Sequence, residues 1–217
     1  MKIHIQSFAF GPFQENTYIV YNDEKTAVII DPGCFNSHEQ QMLTNFIETN
    51  KLNVKALLST HCHIDHIFGN AFVLDKYNVD YYVHELDLPI LERGERSAQV
   101  YGIPGFIPSP QPTKFLNDNE VITFDNLSFK VIFMPGHSPG HIAFYSEENN
   151  LIISGDVIIQ GAFGRTDLPG GDFEVLKDTI KNIFFQLPDS TVIYSGHGNS
   201  STIEIEKKTN HILKFLG

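Results

Sequence analysis

The 217-residue sequence has no tryptophan, two cysteines and no run of Lys or Arg. The missing tryptophan carries no functional message, but each of the other shortages removes a class of protein. Cys34 and Cys62 could form at most one bridge. A chain of this length exposes roughly 10,000 Å² folded against roughly 35,000 Å² extended, so it buries enough core to need no staple. Reduced thiols are therefore expected. With 15 Lys and Arg against 26 Asp and Glu, the formal charge is −11. That balance argues against a nucleic-acid partner, whose phosphate backbone is normally met by clustered basic residues. The composition also lacks the Pro, Gly and charge excess of a disordered chain, since 41% of residues are hydrophobic and 19% charged. No apolar stretch approaches the roughly 18 residues of a bilayer span, and the first 13 residues alternate and turn instead of forming a leader. No membrane partner is expected, and the expected location is cytoplasmic.

Short strands are expected over 3–8, 16–22 and 26–30, where Tyr18, Val20, Val28 and Ile30 supply aromatic and β-branched content. Ser37 then caps a helix over 38–50, carrying Met42, Leu43, Phe46 and Ile47 at helical spacing, before a buried strand over 54–59. A helix over 67–78, a strand over 81–84 and a short helix over 85–96 follow. The stretch 102–119 holds Pro104, Pro108, Pro110 and Pro112 and should be irregular. Strands resume over 121–124, 127–133, 142–145 and 151–154. A helix over 172–186, with Asp172 and Glu174 in its first turn, a strand over 191–194 and a helix over 202–215 close the chain. This order implies one α/β domain over 1–217, made of two similar halves of sheet covered by helices: a four-layer sandwich.

The densest chemical signal is Thr60-His61-Cys62-His63-Ile64-Asp65-His66, which places four ligand-type side chains between a buried strand and a helix. His61 and His63, two apart on extended backbone, point the same way, while Asp65 and His66 sit where the chain turns and can face a second centre. Imidazole nitrogen and carboxylate oxygen suit zinc, and iron or manganese accept them too. His137 in Pro135-Gly136-His137-Ser138-Pro139-Gly140-His141, Asp156 in Ser154-Gly155-Asp156 and His197 in Ser195-Gly196-His197-Gly198 each follow an apolar strand. Alone, each reads as a turn residue. Beside the first cluster they read as ligands that one sheet edge brings together. A structural zinc site saturates with four ligands, so seven around two open centres point to catalysis rather than to a passive metal-binding protein.

On these motifs the chain resembles the metallo-β-lactamase-fold hydrolases, specifically their short glyoxalase II-like (hydroxyacylglutathione hydrolase-like) branch, over essentially its whole length. The resemblance implies a four-layer αββα sandwich, with His61, His63 and His137 on one metal and Asp65, His66 and His197 on the other. Asp156 would bridge them, and the substrate would lie where the loops converge. Secreted lactamases of this fold usually carry cysteine at the position of Asp156, and a signal peptide; neither is read here. The stretch from Gly164 to Asp172 resembles the short glyoxalase-like enzymes, and its Gly-Arg-Thr-Asp also occurs in persulfide dioxygenases. Full-length glyoxalase II proteins append a C-terminal helical domain that supplies much of the glutathione site; at 217 residues, the expectation is a single domain without it.

Asp31, in Asp31-Pro32-Gly33, and His141 are expected behind the metals, holding ligands or backbone. Cys62 alternates away from its neighbours as a packing residue, and Cys34 is a turn residue. Arg165 either pairs with Asp167 to position its Gly-rich loop or meets a substrate carboxylate. Tyr101, Phe106 and Phe163 are candidates for the organic part of the pocket. Two cations joined by Asp156 would lower the pKa of a shared water from about 15.7 to roughly 7, leaving hydroxide to attack an acyl carbon. A thiol of pKa about 8.5 then leaves without a strong general acid. The expectation is a binuclear, zinc-dependent hydrolase of a small thioester or related acyl substrate, with Asp65 and Asp156 as catalytic carboxylates. Its rival is a mononuclear iron persulfide dioxygenase using His61, His137 and Asp156. Phosphodiester cleavage of RNA uses similar metal apparatus but fits the acidic balance poorly.

Overall fold

Alternation along the buried strands is what stacks the layers, and the third strand shows it most simply. In the computed structural model, which describes residues 2–216, Thr26–Ile30 is buried on both faces. Val28 and Ile30 face one hydrophobic layer while Ala27 and Ile29 face another, as a period of two requires. The chain first runs β1 (Ile3–Phe10), β2 (Glu15–Asn22) and β3 (Thr26–Ile30) as an antiparallel meander. Helix α1 (Ser37–Thr49) returns it so that β4 (Asn53–Leu58) lies parallel to β3, and α2 (Asn70–Tyr77) does the same for β5 (Asp80–Val83). The short helices α3 (Leu88–Leu91) and α4 (Gly94–Tyr101) precede β6 (Lys114–Phe115), which completes a sheet of order β1-β2-β3-β4-β5-β6.

The second sheet begins with β7 (Val121–Phe124), β8 (Leu127–Phe133), β9 (Ile142–Ser146) and β10 (Leu151–Gly155), all antiparallel. A small ribbon of β11 (Ile158–Ile159) and β12 (Ala162–Phe163) leads through α5 (Phe173–Asn182) to β13 (Val192–Ser195), parallel to β10. Strand β14 (Ser201–Thr202) and α6 (Ile203–Thr209) follow, giving the order β14-β13-β10-β9-β8-β7.

Between the sheets, Tyr18, Val28 and Leu58 share a core with Phe129, Val131 and Phe144. Outside the first sheet, Ile29 and Leu57 share one with Leu43 of α1 and Val73 of α2. Outside the second, Ile152 and Ile193 share one with Leu176 and Ile180 of α5. This is the expected four-layer αββα sandwich. Its exposed surface of 9617 Å² matches the roughly 10,000 Å² anticipated for the chain length.

Several boundaries differ from the sequence expectation for identifiable reasons. Asn36, not Ser37, caps α1: its Oδ1 accepts from the amides of His38 and Glu39 at 3.0 and 3.1 Å, and Glu39 returns the contact to the Asn36 amide. The helix expected from 67 starts at Asn70, after a 3₁₀ turn over Ile64–Ile67, because the Gly69 amide is taken by the Pro32 carbonyl at 2.6 Å. The helix expected over 172–186 ends at Asn182, since Ile183 leaves helical geometry at φ −121, ψ −63. The closing helix breaks at Asn210, whose side-chain amide donates to Ala162 O at 2.7 Å and to Glu206 Oε2 at 2.6 Å. Four short strands were not anticipated: β11 and β12 of the ribbon, β14, and β6 inside the proline-rich stretch. Among the described residues, no helix is long and apolar enough to cross a membrane.

Candidate metal centre

The two sheets meet at one edge, where β4, β8, β10 and β13 all end in loops that carry ligand-type side chains. Backbone and side-chain bonds splice the sheets there. The Ile142 amide donates to Thr60 O at 2.9 Å, and the Asn16 side chain donates to Ser195 O and Gly198 O at 3.0 and 2.8 Å. Tyr18 adds its hydroxyl to Ser195 O at 2.6 Å. These bonds tie the loop after β4 to the end of the loop after β8 and the loop after β13 to β2, and the Gly196 amide, donating to Gly155 O at 2.8 Å, joins the loop after β13 to the end of β10.

His61, His63 and His137 form one cluster in which each offers a ring nitrogen within 4.8 Å of the others. His137 Nε2 lies 2.8 Å from His63 Nδ1 and 3.2 Å from His61 Nε2. These contacts cannot all be hydrogen bonds. His137 Nδ1–H donates to Arg165 O at 2.7 Å, which leaves Nε2 a bare lone pair. Thr60 Oγ1 gives its own proton to Asp31 Oδ2 at 2.6 Å and so accepts from His61 Nδ1 at 3.1 Å, leaving His61 Nε2 bare as well. Two facing lone pairs are tolerable with a cation between them, and the donor set suits zinc or iron.

Asp65, His66 and His197 form the second cluster. His197 Nε2 donates toward Asp65 Oδ2 at 3.2 Å, and His66 Nε2 is buried with no hydrogen-bond partner 4.0 Å from the same oxygen. Asp156 stands between the clusters. Its Oδ2 is 3.5 Å from His137 Nε2 and 3.6 Å from His197 Nε2, and its Oδ1, unpartnered, is 3.7 Å from His66 Nε2. Asp31, His61 and His66 also fall within 4.8 Å. Asp31 is nevertheless occupied by Thr60 and His66 Nδ1, so that grouping is a hydrogen-bonded tie rather than a third site.

The electrostatics divide along the same line. Burial, reinforced by neighbouring imidazoles, pushes His61, His63 and His141 well below the ordinary histidine range, so they stay neutral and their lone pairs free. Burial also lowers His137, with Asp156 opposing it. In the second cluster burial acts in the same direction but loses: Asp65 and Asp156 raise His66, and the hydrogen bond to Asp65 raises His197. For Asp65, burial is overcome by His66 and His197, which hold the carboxylate well below its usual range. The first cluster is neutral, while in the second carboxylates and imidazoles favour each other's charged forms, and a divalent cation would take the place of the ring protons there.

Asp31 does lie behind this centre, in a left-handed conformation at φ 49 that fits the turn into Pro32. His141 stacks on His61 at 4.8 Å between ring centroids and accepts from the Asp156 amide at 3.2 Å. Two buried carboxylates there had no expectation from the sequence. Glu15 lies 3.8 Å from His66 Nδ1 and accepts from Thr17 Oγ1 at 3.0 Å; burial raises it well above the carboxylate range, and Asp31 and Asp65 add to that. Asp87 accepts from the Cys62 amide at 2.6 Å and the Gly140 amide at 2.7 Å, joining the His61–His66 loop to the His137–His141 loop. The one hint in the sequence was a charged residue heading a strand as apolar as β2; Asp87 left none.

A cavity of about 400 Å³ opens over the two clusters, with His63, Asp65, His137, Asp156 and His197 in its floor. Tyr101, Phe163 and Arg165 line it as expected positions. Phe106 does not: it packs against Phe68 at 6.1 Å in a satellite cluster with Ile64 and Ala98. Arg165 forms a bidentate pair with Asp167, both contacts 2.7 Å, while its carbonyl anchors His137. Phe13, Ile64, Ile90, Arg93, Ser97 and Leu168 complete much of the wall and were not singled out in the sequence.

The fold and the site define a metal-dependent hydrolase or oxidase with candidate positions for two ions, and comparison gives the class a name. Residues 10–197 match the family model described as Metallo-beta-lactamase superfamily, and the chain belongs to that superfamily. Within it, the chain is related to the glyoxalase II or hydroxyacylglutathione hydrolase-like branch. It is 36% identical over 213 residues to the hydroxyacylglutathione hydrolase GloC of Haemophilus influenzae, covering 97% of this chain and 98% of that protein. Among solved structures, the BLEG-1 B3 metallo-beta-lactamase superposes with a TM-score of 0.87 at 35% identity, covering 98% and 99% of the two chains. TTHA1623, solved in a di-iron-bound form, superposes with a TM-score of 0.85 at 35% identity, covering 95% and 98%.

Proposed function

We propose that this protein hydrolyses a thioester, or a related activated acyl compound, in the cavity above two divalent ions. His61, His63 and His137 would hold one ion and Asp65, His66 and His197 the other, with the Asp156 carboxylate, which faces members of both sets, between them. The observation that carries this reading is the convergence of His61, His63 and His137, and of Asp65, His66 and His197, each set with its ligand atoms within 4.8 Å of one another, beside a cavity walled largely by apolar side chains. When bound, two such ions supply Lewis acidity, acidifying water and polarising an acyl carbonyl.

The chain's own groups orient and exclude. Asp31 keeps His66 in the tautomer whose Nε2 is bare. The Arg165 carbonyl does the same for His137. Phe163 and Tyr101, with the aliphatic walls, keep water from the organic part of the substrate. A thiol of pKa about 8.5 leaves as the anion, so the cavity has no need of a strong general acid. The relative named hydroxyacylglutathione hydrolase favours a thioester and zinc is the proposed metal, while the di-iron form of TTHA1623 makes iron its rival. The relative described as a B3 metallo-beta-lactamase adds lactam hydrolysis to the readings that must be beaten.

The test is elemental analysis of protein purified without added metal, followed by thioester, β-lactam and glutathione-persulfide assays on the same sample. Close to two ions per chain with thioester turnover is the expected result. One iron per chain with oxygen uptake on the persulfide, or lactam cleavage without thioester turnover, would overturn the proposal.

A further inference from the structure

Arg93, Ser97 and Tyr101 stand at successive turns along α4 and the residue that leads into it, and all three line the cavity over the candidate metal centre. The Ser97 amide donates to Arg93 O at 2.9 Å, so the three side chains share one helix face. They differ from the rest of the wall, where Phe13, Ile90, Phe163 and Leu168 are apolar. They also differ from the cavity's other guanidinium. Arg165 spends its fork on Asp167, with both contacts at 2.7 Å. Neither the Arg93 guanidinium nor the Ser97 hydroxyl has a hydrogen-bond or ion-pair partner among the described residues.

An unpaired guanidinium beside apolar walls is a recognition element for an anion, because its planar fork matches two carboxylate oxygens. Charge decides which anion. One guanidinium and one hydroxyl balance a single negative charge, whereas a phosphate dianion seated on α4 would ask for a second unpaired basic side chain, and the other one in the cavity wall, Arg165, is already paired. We propose that α4 carries a carboxylate subsite, in which Arg93 and Ser97 select acyl thioesters whose apolar body bears one carboxylate. This rests on the thioester reading above and names the class of substrate within it. Such a subsite would give a carboxylate a local positive contact in a chain whose formal charge is −11.

The test uses the metal-loaded full chain and two probes that differ in one charge: S-hexanoyl-3-mercaptopropanoate and its N-methylamide. Wild-type protein should favour the carboxylate by about tenfold in kcat/KM, the scale of one charge-assisted hydrogen-bonded pair. In Arg93→Gln that ratio should fall to within about twofold of one, with Arg93→Lys between them. A wild-type ratio near one, or a tenfold ratio that survives in Arg93→Gln, would overturn the subsite while leaving the thioesterase reading intact. A binding arm separates the two proposals. The non-hydrolysable S-hexyl thioethers of the same acid and amide are titrated by calorimetry against wild type and Arg93→Gln. If neither thioester turns over, the proposed function fails. Tighter binding of the acid by wild type, lost in Arg93→Gln, would still support the subsite, and equal binding of acid and amide would refute it. Arg93 is exposed, and matching melting curves for wild type and variant establish that both are folded.

Discussion

Asp31 Oδ2 accepts from His66 Nδ1 at 3.1 Å while also taking the Thr60 hydroxyl at 2.6 Å, and its other oxygen takes the Thr60 amide at 2.7 Å. One carboxylate thus fixes both the ring of a proposed ligand and the start of the loop that carries three more. Asp31→Asn exchanges one acceptor for a donor and cannot serve all three partners. The expected outcome is a loss of about 10- to 100-fold in affinity for the more weakly held ion, read by competition with a chromophoric chelator. Unchanged affinity for both ions would remove Asp31 from the support of the centre.

Among the described residues, Asp156 is the one carboxylate within 3.7 Å of members of both clusters. Alanine there should cost more kcat/KM than alanine at His61, His63, Asp65, His66, His137 or His197. Metal stoichiometry across that series is the companion measurement. An Asp156→Ala protein that retains two ions and wild-type turnover would rule out a role at both.

Gly164 is fixed by the backbone around the site. A Cβ there would lie 2.1 Å from Asp156 O and 2.7 Å from His137 Nδ1, and a backbone oxygen cannot swing aside. Gly164→Ala must therefore move the loop and break the His137 Nδ1 to Arg165 O bond. A destabilisation of about 1–3 kcal/mol is expected, with lowered metal content. Thermal melting and elemental analysis check it, and a variant with unchanged Tm and full metal would show that the loop relaxes freely.

Both thiols should be silent in the folded protein. Cys34 is fully buried and is pushed up to about 12, first by burial and then by the Glu15 carboxylate. Burial and then Asp87 push the Cys62 thiol up as well. A disulfide-exchange reagent at pH 8 should find no rapidly reacting thiol in native protein and two after denaturation. A fast native reaction at either position would show that its loop opens.

The metal-ligand motif was legible because coordination demands particular side chains at short spacing, and His61 to His66 supply four within six residues. The layers were legible because β3 and the Ala56–Leu58 half of β4 are buried on both faces and the helices on one. Glu15 and Asp87 were not, since a lone carboxylate has no spacing to betray it and its meaning lies in amides and rings brought from elsewhere. Asn210 shows the same limit for secondary structure. It ends a helix through contacts to Ala162 and Glu206, of which the first is 48 positions away. Arg93 carried no signal in the sequence because only the fold brings the start of α4 to the cavity wall.

The order in which the two clusters fail separates the competing chemistries. His66 belongs to the second cluster, with Nδ1 on Asp31 and Nε2 facing Asp65 and Asp156. His66→Ala should therefore empty that position while His61, His63 and His137 keep their ion beside Asp156. A binuclear thioesterase loses one of two charges that stabilise the reaction, and a fall of about 10²–10⁴ in kcat/KM, about 3–5 kcal/mol, is expected. A mononuclear iron dioxygenase would place no metal on His66, so the same variant would keep its full iron and most of its oxygen consumption. Because a loop dense in ligands can depend on metal for its shape, the comparison is made on monodisperse protein shown by circular dichroism to be folded. Elemental analysis and both assays are then run at saturating metal. Two tightly held ions and undiminished thioester hydrolysis in His66→Ala would defeat the assignment of His66, and with it the division of the seven side chains into two metal positions.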